Sequence, residues 1–204
     1  MAGPDIRIDA LDADGARREQ PSLVALLRNV VDDGGSVGFL PPLSEEDARE
    51  YWEGVATAVK GGGRLLWVAR EADGGTIGPI IGTVQLDLER RANGSHRAEL
   101  IKLMVHTSGR RRGIGRALML EAQAAARRGG RSILVLDTRQ GDPSEALYRS
   151  LGWTFVGAIP RYARSANGEL HATALYYLLL DAGDQAPHPA LSPQGRGGRG
   201  RRTP

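Results

Sequence analysis

The sequence predicts an α/β domain of the α+β kind: a mixed central sheet of about seven strands flanked by about four helices. Three observations predict it. Strand-like runs and helix-period segments follow one another from about residue 5 to about residue 180 in the order β-α-α-β-β-β-α-β-α-β-β. The run Ser132-Ile133-Leu134-Val135-Leu136-Asp137 is continuously apolar at its centre and reads as a strand buried on both faces. Finally, Leu100 to Val105, broken only by Lys102, runs through a glycine-containing turn into a helix, R-R-R-G-I-G-R-A-L-M over residues 110–119. Strand, glycine turn and helix start together make an anion site, because the first N–H groups of a helix lack internal partners.

Taken in order, Ile6-Arg7-Ile8 reads as a short first strand. Pro21 to Val31 places Leu23, Val24, Leu26, Leu27, Val30 and Val31 at helical spacing and is closed by Asp32-Asp33-Gly34-Gly35. Residues 36–43 read as a loop with apolar contacts. Ser44-Glu45-Glu46-Asp47 starts the next helix, a serine cap followed by acids at the positive end of the dipole. That helix carries Ala48, Tyr51, Trp52, Val55 and Val59 to a stop at Gly61-Gly62-Gly63. Arg64 to Arg70 is a strand, Gly74-Gly75 a turn, and Ile80 to Leu88 a strand in which Thr83, Gln85 and Asp87 alternate with Val84, Leu86 and Leu88. Asn93-Gly94 predicts a hairpin into the strand His96–Val105. The helix after the glycine turn ends at Arg127-Arg128-Gly129-Gly130. Asp142-Pro143-Ser144-Glu145 reads as a capping box opening a short helix to Ser150. Strands near Thr154–Gly157 and Ala172–Leu180 complete a domain of residues 1–181. Residues 182–204 are rich in Pro, Gly, Ser, Gln and Arg and are expected to be a disordered basic tail.

Composition narrows the chemistry. The chain of 204 residues contains no cysteine, which removes disulfides, thiolate metal sites and a cysteine-borne acyl-enzyme. Its four histidines, His96, His106, His171 and His188, form no H-x-x-x-H pair, so no metal centre is expected. No run approaches the length of a membrane span and no signal-peptide pattern opens the chain, so a cytoplasmic protein is expected. The net charge of +3 resides in the tail: residues 183–204 hold four of the 27 basic and one of the 24 acidic residues, leaving 23 of each elsewhere. A neutral body argues against nucleic-acid binding, for which Arg110-Arg111-Arg112, Arg127-Arg128 and the arginines of the tail are the candidates.

The two common nucleotide motifs do not fit residues 110–116. There is no Walker lysine, and the third glycine of a dinucleotide fingerprint is missing after Gly113-Ile114-Gly115. The segment resembles instead the acyl-CoA loop of the GNAT acyltransferases, Gln/Arg-x-x-Gly-x-Gly/Ala, with Arg110, Gly113 and Gly115 matching in order. The resemblance extends over roughly residues 5–180 in element order. Within that superfamily, Gly82-Thr83-Val84-Gln85-Leu86, the run Arg97 to Val105, Leu136-Asp137-Thr138, Ile159-Pro160-Arg161-Tyr162 and Ala172 to Tyr177 look like the tabtoxin-resistance type of acetyltransferase.

The resemblance implies the GNAT fold and transfer of the acetyl group of acetyl-CoA to an amine, the coenzyme's diphosphate lying on the loop formed by Arg110, Arg111, Arg112, Gly113, Ile114, Gly115 and Arg116. It implies that the acetyl carbonyl meets main-chain N–H groups near Leu103, Met104 and Val105. Such a transfer needs an amine stripped of a proton, a polarised carbonyl and a stabilised leaving thiolate. Without a cysteine, direct attack in a ternary complex is the natural route. Glu99 and Asp137 are the candidate bases, on neighbouring central strands, with Glu99 expected to share its strand face with Ile101 and Leu103. A salt bridge to Arg97 or Arg131 is the structural alternative for Glu99, and loop capping is that for Asp137. Tyr148, in Leu147-Tyr148-Arg149-Ser150-Leu151-Gly152-Trp153, matches the family tyrosine near the coenzyme sulfur and is the candidate acid. Gln85 and Tyr162, and further Trp52 and His171, are candidates for the acceptor pocket. The expected acceptor is a small-molecule amine, amino-acid-like or antibiotic- or toxin-like. Alternatives are a protein or peptide amine, or an acyl-CoA sensor without catalysis. The oligomeric state is open between monomer and homodimer.

Overall fold

Seven strands join into one sheet in a computed structural model that describes residues 5–73 and 76–180. They are β1 (Asp5–Leu11), β2 (Arg64–Asp73), β3 (Thr76–Leu88), β4 (Arg97–Val105), β5 (Ile133–Arg139), β6 (Thr154–Arg164) and β7 (Leu170–Leu179), in the order β1-β2-β3-β4-β5-β7-β6. Every neighbouring pair is antiparallel except β4 with β5, which is parallel. Five α-helices accompany the sheet: α1 (Ala13–Arg18), α2 (Gln20–Asp32), α3 (Glu45–Lys60), α4 (Ile114–Arg128) and α5 (Ser144–Ser150). None of these helices is long and apolar enough to cross a membrane.

Strand alternation sorts the core into two layers. Leu66, Val68, Ile80 and Met104 point to the face covered by α2 and α3, where they meet Leu23, Leu27, Val31, Trp52 and Val55. Trp67, Val84, Leu86, Ala98, Leu100, Leu134 and Leu136 point the other way, onto Ile114, Leu118 and Met119 of α4 and Tyr148 of α5. Helix α2 forms because its apolar residues recur at three- and four-residue steps, and burying each large aliphatic side chain contributes about 1.5–3 kcal/mol. Helix α3 starts where Ser44 accepts the Asp47 N–H at 3.0 Å. Helix α4 stops at Gly129-Gly130, with arginines 127 and 128 in its last turn.

Several expectations need correction. Helix α1 was not foreseen: it buries only Ala13, Gly15 and Ala16, so no apolar stripe announces it, and Asp12 caps it by accepting the Gly15 N–H at 2.6 Å. Strand β5 is not buried on both faces. Leu134 and Leu136 are buried, Ile133 and Val135 half-buried, and Asp137 exposed, because one side of the strand looks onto an open cleft. Strand β6 runs on to Arg164, exposed along nearly all its length as an edge strand whose residues do not alternate in polarity. The β3–β4 hairpin forms, but through a longer connection containing a 3₁₀ turn at Ala92–Gly94 rather than a two-residue turn. In the capping box, Glu145 accepts the Gly141 N–H at 2.6 Å, while Asp142 turns away to Arg139 at 2.8 Å. The Gly74-Gly75 turn and the tail from 182 lie outside the described residues.

Helix α4 sits close on the sheet because Gly82 has no side chain. A Cβ there would come within 3.0 Å of Ile114 Cγ2, 3.1 Å of Leu118 Cδ1 and 3.2 Å of the Met104 carbonyl oxygen. Backbone on one side and a packed helix on the other leave little to yield. Replacing Gly82 by Ala is expected to cost about 1–3 kcal/mol of stability, read as a lowered urea midpoint with unchanged slope.

Candidate active site

The site is organised by the separation of two strands. The parallel ladder between β4 and β5 comprises Arg97 with Ile133, Ala98 with Leu134 and Glu99 with Val135, and then ends. Beyond it β4 pairs only with β3, and β5 only with β7. A bulge contributes. Between the pairs Gln85–Ile101 and Thr83–Met104 strand β4 carries one extra residue, and Lys102 lies there with φ 53°, in the left-handed region. An extra residue reverses the side-chain alternation. Glu99 therefore shares its face with Ile101 but not, as expected, with Leu103: Leu103 and Val105 pack on the α4 side, and Met104 on the α2–α3 side.

At the end of β4 the chain enters a 3₁₀ turn (Thr107–Gly109) and then α4, whose N-cap is Gly113 with φ 79°. Only a glycine takes that backbone without strain, and a Cβ there would point into open space. The N–H groups of residues 111–116 have no main-chain acceptor among the described residues. That leaves a concave row of donors at a helix N-terminus, which suits a diphosphate. The arginine side chains are mostly engaged elsewhere. Arg110 pairs with Asp33 at 2.5 Å, Arg112 with Glu71, and Arg116 donates to Ser150 at 2.7 Å. Arg111 is exposed with φ 61°. The residues present thus fit a coenzyme diphosphate through main-chain N–H groups first and guanidinium groups second.

On the α2–α3 face a polar row crosses the sheet. Arg64 on β2 donates to Asp87 at 3.1 Å and to Gln85 at 3.3 Å on β3. Asp87 lies opposite Glu99 of β4, and Glu99 opposite Val135 of β5, the strand on which Asp137 and Arg139 share that face. Thr173 of β7 donates to Asp137 at 2.8 Å. Arg97 and Arg131 do not pair with Glu99: Arg97 holds Glu89 at 3.0 Å, and Arg131 donates to the carbonyls of Glu89, Ser95 and Arg97. Although Glu99 is exposed on one side, its carboxyl is raised above the ordinary glutamate range, first by partial burial and then by the negative charges of Asp137 and Asp87.

Tyr148 lies on the opposite, α4 side of the sheet, buried against Trp153 and Tyr176 with ring centroids 6.3 and 5.8 Å away. Burial pushes its phenol above the ordinary range, and hydrogen bonding with Ser144 and Thr138 opposes that shift. A phenol so placed stays protonated at neutral pH and is equipped to donate. The carboxylates and the tyrosine thus lie on opposite faces of one sheet, near the opening between β4 and β5.

Of the acceptor-pocket candidates, Gln85 is fully buried and supports the polar row from within, donating to the Tyr51 hydroxyl at 3.0 Å. Trp52 is a core side chain of α3. Tyr162 is exposed beside the β6 irregularity, and His171 is half-buried 3.7 Å from Glu169. Sequence reasoning assigned no role to Lys102. Its ammonium donates to the Val37 carbonyl at 2.7 Å and lies 5.9 Å from the Tyr51 ring centroid, so it fastens the α2–α3 loop above the carboxylates. Burial lowers its pKa. A lysine interrupting an apolar strand was the available signal. That loop and the β6–β7 turn enclose a cavity of about 240 Å³ lined in part by Gly34, Phe39, Leu40, Arg139, Arg164 and Ser165. Among the described residues no cluster of His, Asp and Glu is arranged to hold a metal ion.

A sheet that opens beside a glycine cradle, with carboxylates on one face and a buried phenol on the other, defines an acyltransferase-like α/β protein. The family model for the acetyltransferase (GNAT) family matches residues 28–153, and the chain belongs to that family. An uncharacterized N-acetyltransferase of Azospirillum brasilense, from the hisH-hisA intergenic region, is 32% identical over 114 residues, 55% of this chain and 63% of that protein. The match thus spans less than two thirds of that relative. Among solved structures, a GCN5-related N-acetyltransferase from Kribbella flavida superposes with a TM-score of 0.69 at 22% identity, covering 85% of this chain and 97% of that one. The yncA protein of Salmonella typhimurium, solved with its cofactor acetyl-CoA, gives 0.68 at 20% identity over 91% and 99%. These likenesses establish the fold.

The site's electrostatics carry a direct test. Because the charge on Asp137 helps raise the Glu99 pKa, Asp137→Asn is expected to lower it, and Glu99 in the unaltered protein should lose its proton at a higher pH than an ordinary glutamate. Carbon-detected NMR titration of the carboxyl groups reads both; a Glu99 midpoint unmoved by the substitution would contradict the coupling.

Proposed function

We propose that the chain is an N-acetyltransferase that moves the acetyl group of acetyl-CoA to a primary amine of a small molecule by direct attack within a ternary complex. The observation that carries this reading is the placement of Glu99 and Asp137 on one side of the β4–β5 opening, with Tyr148 and the glycine cradle on the other. Amine and coenzyme then approach from opposite faces and meet in the gap.

Each group has a role in that arrangement. The N–H groups of residues 111–116 bind the diphosphate. Leu103 and Val105, turned by the bulge to the coenzyme side, line the channel of its arm. His106 donates its N–H to Ile81 on β3, so the N–H of Val105, one residue back along extended chain, points to the other edge and into the gap. There it polarises the acetyl carbonyl. Glu99, with its raised pKa, takes the amine proton directly or through water, with Asp137 holding the ammonium form beforehand. Bound acetyl-CoA supplies an activated thioester, from which the amine nitrogen takes the acetyl carbon. Tyr148 donates its proton to the departing sulfur. The subgroup motifs, which contain Glu99 and Asp137, support the tabtoxin-resistance variety, a cytoplasmic enzyme acting on an amino-acid-like amine.

A thiol-release assay with acetyl-CoA against amino acids, aminoglycosides, polyamines and lysine peptides tests the reading. Small amines should release thiol faster than peptides. Acetyl-CoA binding without turnover on any amine would make the protein a sensor instead. Tyr148→Phe should lower kcat by about a hundredfold with acetyl-CoA affinity intact, the low end of what a positioned proton donor contributes. Near-normal turnover would refute the acid role. Gly113→Asp, which sets a strained backbone and a negative charge at the cradle, should abolish acetyl-CoA binding by calorimetry. Activity should fall on the acid side as Glu99 gains its proton, and Asp137→Asn should move that limb to lower pH. Complete loss of activity in Asp137→Asn would make Asp137 the base.

A further inference from the structure

The sheet ends in two edge strands, and their sequences treat that position differently. Strand β1 carries Asp5, Arg7 and Asp9, charges that keep an open edge from joining another chain. Strand β6 carries no charge from Thr154 to Pro160, although it is exposed along nearly all its length. Phe155, Val156, Ile159 and Tyr162 on β6, with Leu170 at the start of β7, are five of the seven large apolar side chains exposed among the described residues. Val156 is 62% and Tyr162 58% exposed. Scattered singly such residues would mean little, but gathered on one edge they make an apolar patch on the order of 400 Å².

The patch continues round the edge onto the α2–α3 face of the sheet. Helices α2 and α3 lie over β2, β3 and β4. Farther along, Ile133 stands opposite Leu179, Val135 opposite Tyr177 and Asp137 opposite Leu175, and residues so paired share a face. The row runs on to Thr154, Gly157 and Ile159 of β6. Its five apolar members on β5 and β7 are half-buried, yet none of them belongs to either layer of the core. Among the described residues no helix covers this three-strand shelf.

We propose that a second copy of this chain covers the shelf and wraps the β6 edge, forming a two-fold dimer in which each copy supplies a wall of the other's acceptor cleft. A two-fold contact sets one surface against itself, which suits a patch without charges, where no side chain meets its like. Three strands about 4.8 Å apart and an edge strand of 11 residues, about 35 Å long, offer face and edge on the order of 800 Å², what a stable dimer takes from each partner. The chain's own tail is a poor cover, since residues 182–204 hold four arginines and a single large apolar side chain, Leu191. Bulges at Val156 and between Ile159 and Ala163 interrupt the outer edge, so packed side chains rather than a continuous ladder join the copies. The shelf borders the carboxylates: Val135 is opposite Glu99, and Leu175 opposite Asp137. A copy seated there closes the cleft on its β5–β7 side and keeps bulk water from Glu99, a consequence that rests on the acetyltransferase reading.

Sedimentation velocity on the full chain should find a dimer at micromolar concentration. Val156→Glu and Ile159→Glu each place a charge on the exposed rim of the shelf and should weaken association about a hundredfold, with the urea midpoint close to that of the unaltered protein. In the thiol-release assay both variants should raise the amine KM about tenfold, with acetyl-CoA affinity by calorimetry unchanged. A chain that stays monomeric up to millimolar concentration would overturn the inference, whether cross-linking then places residues 182–204 or another molecule on the shelf. Dimers that survive both substitutions would overturn it too, because their interface lies elsewhere. Monomeric variants with an unaltered amine KM would remove the shared wall and leave the dimer. If no amine turns over, the acetyltransferase reading fails, while sedimentation still decides the dimer.

Discussion

Three residue pairs hold β4 to β5, and everything else at the site depends on their stopping there. A sheet whose central strands part exposes main-chain donors and acceptors along two edges, and such groups are costly to leave without partners in a dry interior. The opening is therefore tolerable only as a place that water or a ligand reaches. The bulge at Lys102 adds to the effect. By reversing the alternation it presents Leu103 and Val105 to the α4 side while Met104 fills the core under α2. One strand thus serves both faces within four residues.

Each face of the opening then has a distinct electrostatic character. On the α4 side, the start of the helix and the left-handed Gly113 gather main-chain N–H groups, and burial keeps Tyr148 neutral. On the α2–α3 side, Arg64, Gln85 and Tyr51 form a buried support for Asp87 and Glu99, with Lys102 reaching over them to the loop. Burial drives the Tyr51 phenol up to about 12, so it remains a neutral hydrogen-bonding group throughout the working range. Partial burial beside two other carboxylates raises Glu99 in the same way that burial raises the tyrosines: the charged form loses solvent in each case.

The sequence made most of this legible where a local pattern had a local cause. The periodicity of α2 and α3, the serine cap at Ser44, the glycine stop after α4 and the alternation in β3 each translate into the elements observed. The cradle was legible because glycine identity reports on backbone geometry. What escaped depended on contacts between distant segments. Helix α1 buries only small residues, so its burial has no hydropathic mark. The bulge at Lys102 is a disagreement in register between two strands, and neither strand shows it alone. Consequently the face of Leu103 was misread while that of Glu99 was not, since the extra residue falls between them. The run in β5 looked doubly buried because apolarity alone does not say that one flank adjoins a cleft. Gln85 looked available for a ligand because its strand alternates, yet the third dimension fills its surroundings with Tyr51 and Arg64.

The fastening of α2 has a consequence for how such a molecule can diverge. Asn29 exchanges two hydrogen bonds with Thr107, at 3.1 and 3.0 Å, and Asp33 grips Arg110, so the helix ends clamped to the glycine turn that opens α4. The next helix begins anew at the Ser44 cap. Between those two moorings the intervening chain is a span with both ends pinned. Under the proposed function, descendants of this sequence could lengthen, shorten or recolour that span, and so exchange one nitrogen-bearing compound for another, while the turn assigned to the coenzyme is inherited unchanged.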